Sequence, residues 1–208
     1  MSGIISQNVG RTSGLVKAVA AGGGVWTKIK TLTASADGDL SFVDGTDDVV
    51  LDSTYPIYVF KFINIHPSVD EAHLTFQAST DGGSNYDTTL TSTYILSYHA
   101  ENDSEISLAY KTGHDQAQTT NFQNILHGTG TGNDEAGSGI LHLFDPGNTT
   151  FVKHFIHRAS TLNTADYNYQ NFAAGYFNTT SAVDAIQFKM SSGNIDAGKI
   201  KLYGIGDS

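Results

Sequence analysis

The sequence predicts an all-β protein: an antiparallel two-sheet sandwich, jelly-roll-like, over residues 26–208, preceded by a short flexible N-terminal arm over residues 1–25. Three observations predict it. Apolar residues after Trp26 recur with a period of two, the spacing of half-buried strands rather than of helices. Turn-forming residues are dense, with 22 Gly among many Thr, Ser, Asn and Asp, and only 3 Pro. Charged residues make up only 15%, fewer than the Lys- and Glu-rich surfaces of long helices need. With 39% apolar and 11% aromatic residues in 208, there is enough material for one sizeable core.

In order along the chain, WTKIKTLT alternates Trp26, Lys28 and Lys30 with Thr27, Ile29 and Thr31, as a half-buried strand does. Residues 36–48 hold two turn signals around a short strand, Leu40–Val43. PIYVFKFINI (56–65) is the strongest strand: Ile57, Val59, Lys61, Ile63 and Ile65 on one face, Tyr58, Phe60 and Phe62 on the other. Apolar residues on both faces predict a central strand. HLTFQASTDGGSNYDTTLTSTYIL reads as two strands joined in a hairpin at Asp81-Gly82-Gly83-Ser84. Residues 99–121 are weakly patterned and predict a long surface loop, with regular structure resuming near Phe122–His127. ILHLF (140–144) and FVKHFIHRASTL (151–162) flank DPGNTT as a second hairpin, and NYQNFAAGYF, AIQFKMSS and GKIKLYGI close the chain. The count is ten or eleven strands, no helix beyond a turn, and no recurring period of 20–50 residues.

Residues 1–25 contain Arg11 and Lys17 and no acid, while the net charge of the whole chain is −10. Gly22, Gly23 and Gly24 form a hinge between this arm and the body, since each samples φ freely. The alternative is a frayed terminus. An acidic chain argues against nucleic acid as a partner. No apolar run approaches the ~20 residues that span a membrane, and the start lacks the pattern of a signal peptide. With no cysteine, disulfides, thiolate metal sites and cysteine nucleophiles are excluded. The expectation is a chain made in a cytoplasm or assembled there.

The residues that could carry chemistry stop short of a site. Asp37 to Asp48 spans the length of a 12-residue calcium loop, but Phe42 stands where that loop needs glycine and Asp48 where it needs Glu. Two solvated Asp-Gly turns account for the cluster. Asp81 and the loop Gly128–Glu135 lack phosphate-loop spacing. His154 and His157 lie three apart, which on a strand sends them to opposite faces; His142 with His154 across the hairpin is one pair, and one pair makes no site. Gly137-Ser138-Gly139 is not a nucleophile elbow. Paired carboxylates for glycoside cleavage depend on a separation in space that a sequence does not supply. Catalytic, cofactor-binding and metal residues are therefore all assigned as none, and the chain is read as a non-enzyme. Tyr94, Tyr98, Tyr110, Tyr167, Tyr169 and Tyr176 lie near polar loops, a chemistry shared by glycan-stacking surfaces and sheet rims.

The segments MSGIISQNVGR, YPIYVFKFINIHP, FQASTDGGSNY and above all AGYFNTTSAVDAIQFKMSSGNIDAGKIKLYGI resemble predicted structural proteins of marine tailed bacteriophages. The resemblance runs nearly end to end and is weakest over residues 99–138. It implies a virion component, on the capsid exterior or in the tail or fibre, acting by self-association and docking to other virion proteins. It carries no functional residues with it. The expected assembly is a homo-oligomer, a trimer first. The alternatives are a host-attachment module that binds surface glycans and, last, a tail-borne glycan hydrolase.

Overall fold

The computed structural model describes residues 25–206, so nearly all of the arm predicted over residues 1–25, with its glycine hinge, lies outside the described residues. Twelve strands and no helix occur among them. The first six are β1 (Trp26–Asp37), β2 (Asp39–Val43), β3 (Ile57–Pro67), β4 (Ala72–Ser79), β5 (Leu90–Ala100) and β6 (Ile106–Tyr110). The rest are β7 (Gln123–Thr129), β8 (Gly137–Phe144), β9 (Lys153–Leu162), β10 (Tyr167–Phe177), β11 (Ala185–Met190) and β12 (Ile195–Ile205). They form two antiparallel sheets, one of eight strands ordered β1-β12-β3-β8-β9-β10-β5-β6 and one of four ordered β2-β11-β4-β7. The predicted sandwich is observed, with sheets of unequal size.

The core between the sheets is aromatic because period-two alternation sends one Phe after another to the same face. From the small sheet come Phe42, Phe76 and Phe188, and from the large one Phe60, Phe62, Phe155 and Phe177, all buried. Phe188 lies at the centre, with ring centroids 5.2 Å from Phe60, 5.3 Å from Phe62, 6.1 Å from Phe42 and 6.3 Å from Phe76. Most of these contacts are edge-to-face, the arrangement the ring quadrupole favours.

Several expectations hold and several change. The 140–144 and 151–162 segments pair as β8 and β9, and β3 lies inside the large sheet between β12 and β8. Ile65, however, joins the core with Phe60 and Phe62 instead of facing away with Val59. The register shifts between Phe62 and Ile65, and Asn64 adopts φ 49°. One extra residue in a bulge reverses the alternation beyond it. The Asp81–Ser84 turn is no hairpin: β4 pairs with β11 and β7, whereas β5 pairs with β10 and β6. Gly82 and Gly83 both take positive φ, 72° and 78°, and the chain crosses from one sheet to the other there. The 99–121 loop contains β6, whose apolar side chains face outward and so give no burial signal.

Glycines inside strands are placed by contact rather than by turns. A Cβ on Gly175 of β10 would come within 2.5 Å of the Thr91 carbonyl oxygen on β5 and 2.6 Å of the Phe155 ring. Gly175→Val is therefore expected to cost about 1–3 kcal/mol through overpacking, read as a lower urea midpoint at unchanged slope.

Candidate functional site

Four strands cannot cover eight. The small sheet ends at β7, and beyond it the inward face of β10, β5 and β6 needs another cover. Tyr94, Leu96 and Ala173 form a separate buried cluster there, with Tyr169 against it. The connection from Lys111 to Phe122 supplies part of the cover, since Lys111 N–H donates to Tyr94 O, Ser92 N–H to Gln116 O and Gln116 N–H to Ser92 Oγ. At this junction of sheet edge, loop and large sheet, the structure gathers its unusual chemistry.

Three imidazoles meet at the junction: His73 from β4, His127 from β7 and His114 from the covering loop. Their ring centroids are 4.9 Å apart for His73 and His127, 4.6 Å for His114 and His127, and 5.4 Å for His73 and His114. One nitrogen from each lies within 4.8 Å of the others. Gly128 N–H donates to His73 Nδ1 at 2.8 Å, and the Asn124 side-chain amide meets His114 Nδ1. His127 Nδ1 is buried with no partner. Tyr169 packs edge-on to His127 at 5.0 Å, and Tyr94 leans on His114 at 5.3 Å. Burial is the main reason that all three titrate below the usual histidine range, with His127 pushed down to about 3.

A fourth histidine lies behind Tyr94. His157 on β9 is fully buried, 5.8 Å from the Tyr94 ring, and neither of its ring nitrogens has a hydrogen-bond partner. Asn171 ties the floor together: its Oδ1 accepts from Tyr94 Oη at 2.7 Å and from His127 N–H at 3.1 Å, and its Nδ2 donates to Thr161 at 3.1 Å.

Two further surfaces flank this junction. On the inward face past β7, Tyr98, Tyr167 and Tyr169 cluster, with centroids 5.3 Å (Tyr98–Tyr167) and 5.6 Å (Tyr98–Tyr169) apart. Glu105 accepts from Tyr98 Oη at 2.7 Å and Tyr167 Oη at 3.0 Å, which holds its carboxyl below the usual range. On the opposite, outward face of the same strands, Ile95, Ile106, Leu108, Tyr110 and Phe172 are exposed, Ile106 and Leu108 at 73% and 75%. The register sets Tyr110, Ile95, Phe172, Arg158, Ile140, Lys61 and Lys201 in one row across the large sheet.

Of the residues singled out by sequence, most serve local geometry. Asp37 accepts from Ser35 N–H, Asp39 from the Ser41 hydroxyl and Asp44 from Leu51 N–H, each within its own turn. Asp81 accepts from Ser79 and Asn85, bonds that bring its carboxyl to about 2. In the Gly128–Glu135 loop, Glu135 accepts from Gly132 N–H. Ser138 donates toward Asn64. His154 is exposed and His157 buried, as odd spacing on a strand requires. His142 stacks on Phe144 and His154 lies tilted against Tyr176, and the register sets Ile156 rather than His154 opposite His142. Of the tyrosines, Tyr94 is core, and Tyr98, Tyr167 and Tyr169 come together. The trio His73, His114 and His127 was missed because its members lie 41 and 13 residues apart on two strands and a loop, with no spacing motif to find.

No protein-family model matches the chain, and no curated protein matches it. Among solved structures, the one titled "Structure of infectious bursal disease virus Gt strain" aligns with 88% of this chain and 42% of its own, at 9% identity and a TM-score of 0.16. This chain thus spans less than half the length of that one, and so low a score supports no argument about either fold or function.

Proposed function

We propose that this chain is a phage virion structural protein, a capsid-exterior decoration or a tail or fibre component, that works by self-association and docking to other virion proteins. The observation that carries the reading is the outward face of β5, β6 and β10. Ile95, Ile106, Leu108, Tyr110 and Phe172 make a contiguous apolar patch in water, and patches of this kind mark contact surfaces. The patch adjoins β6, an end strand of the large sheet. An unpaired edge offers a row of backbone donors and acceptors to a neighbouring chain. Toward the other end of that face stand Arg158, Lys61, Lys199 and Lys201, cations on a chain of net charge −10, which suit the acidic loops of another copy.

The test is the mass in solution and its response to a charge in the patch. Light scattering is expected to report a multiple of 22.2 kDa, a trimer first. Leu108→Asp, at a position that folding leaves exposed, is expected to return the mass to one chain without lowering the melting temperature. A wild-type monomer at micromolar concentration, or a Leu108→Asp oligomer, counts against self-association through this face.

A second reading, host attachment through surface glycans, is favoured by the cluster of Tyr98, Tyr167 and Tyr169 with Glu105. Aromatic faces beside a fixed carboxylate suit sugar rings, which stack and donate hydrogen bonds. A glycan array separates the two: specific binding lost in Tyr167→Ala supports attachment, and no binding leaves docking as the reading.

A further inference from the structure

We propose that His73, His114 and His127 form a binding site for a divalent late transition metal, zinc first, which pins the 111–122 loop to the end of the small sheet. Imidazole suits zinc, nickel and copper, whereas calcium and magnesium take oxygen ligands. Three neutral histidines with a fourth position left for water or another donor are a ligand set that zinc accepts. The donor atoms, now within 4.8 Å of one another, need to close to about 3.3 Å, the separation set by ~2.0–2.1 Å bonds in a tetrahedron. The ring centroids lie 4.6–5.4 Å apart, but His73 and His127 are stacked 11° from parallel, so one of these two rings has to turn before both lone pairs, which lie in the ring planes, meet one ion. Rotation of the partly exposed imidazoles supplies the remaining movement.

Hydrogen bonding says which nitrogens are available. The unpartnered His127 Nδ1 is buried and lacks the hydrogen bond that a buried nitrogen ordinarily makes. Aromatic packing alone accounts for the stacked rings but not for that atom. The Asn124 amide, turned to present its oxygen, accepts from His114 Nδ1–H and leaves Nε2 as a lone pair, an outer-shell contact that orients a metal-bound histidine. For His73 there is a cost. Its Nδ1 now accepts from Gly128 N–H, so coordination through Nε2 moves the ring proton to Nδ1 and breaks that bond. Gly128 sits where the β4–β7 register shifts, with φ 55°, so its peptide is not locked into a regular ladder.

The placement suggests what the ion would do. The 111–122 loop covers Tyr94 and the buried cluster beyond β7, and His114 is its contact with the two histidines of the small sheet. A metal would fasten the cover to the sheet edge and order it.

The full chain, stripped with EDTA, is titrated by calorimetry at neutral pH with zinc chloride and, separately, with calcium chloride. One equivalent of zinc is expected to bind, and calcium is not. His114→Ala and His127→Ala are each expected to weaken zinc binding at least tenfold. His66→Ala and His99→Ala are expected to leave it unchanged; these residues form the surface pairs with Asp196 and Asp103 where zinc would bind adventitiously. A second readout needs no variant: on zinc addition to the wild type, the ring signals of His73, His114 and His127 and the amide of Gly128 should shift in NMR. Absence of a one-equivalent zinc complex overturns the proposal. So does binding that survives in both His114→Ala and His127→Ala, or ring shifts confined to His66 and His99.

Discussion

Phe188→Ala is expected to destabilise the protein by about 3–5 kcal/mol, the range for removing a buried Phe, and to lower the melting temperature by roughly 10 °C or more. The ring is fully buried and touches Phe42 and Phe76 of its own sheet and Phe60 and Phe62 of the other. None of those neighbours can move inward without leaving its strand, so the cavity stays largely open and the cost sits in the upper part of the range. Phe188→Leu retains much of the volume and should lose less. Equal losses for Ala and Leu, measured by urea unfolding, would mean that the ring edges rather than the filled volume hold the sheets together.

Acid should unfold this protein through its buried histidines before its carboxylates matter. Burial pushes His157 down to about 3; the Asn124 carbonyl pulls it slightly upward but lies outside hydrogen-bond geometry. His127 is likewise brought to about 3. An unfolded histidine titrates near 6.5, so the unfolded chain takes up protons first as pH falls. Stability is thus complete above about pH 6.5 and falls toward pH 3, at up to about 1.4 kcal/mol per pH unit for each such group. Asp52, Asp81 and Glu105, held below their usual range, add their losses only near pH 4 and below. The slope of unfolding free energy between pH 6 and 4.5, measured in EDTA, therefore reports histidine. His157→Phe should reduce that slope by about one proton, and at pH 8 its only expected cost is the fit of a larger ring in a fully buried place, since neither ring nitrogen has a bond to lose. A slope unaltered in His157→Phe would show that His157 keeps a proton partner in solution.

How much of this was legible in the sequence varies with the range of the interaction. Alternation is local, so β3, β8, β9, β10, β11 and β12 could be read from runs such as IYVFKF and FIHRA, and the opposite fates of His154 and His157 followed from their odd spacing. The edge strand β6 escaped because its apolar residues point into water, leaving a polar-looking segment from 99 to 121. The Asp81–Ser84 turn misled for a related reason. Turn residues fix how tightly a chain bends, not which sheet the next strand joins.

By itself the sequence determined that the chain is all-β, that Phe and Ile alternate into one dominant core, and that no cysteine chemistry is available. Tertiary structure alone decided the division into eight strands and four, the reversal of Ile65 at the Asn64 bulge, and the meeting of His73, His114 and His127. The physical reason is common to all three. Side-chain periodicity is written within each strand, whereas partner choice and register depend on the backbone pairing of distant segments. The unequal sheets leave part of the large one for a loop to cover, and only there do three histidines from separate segments share one site.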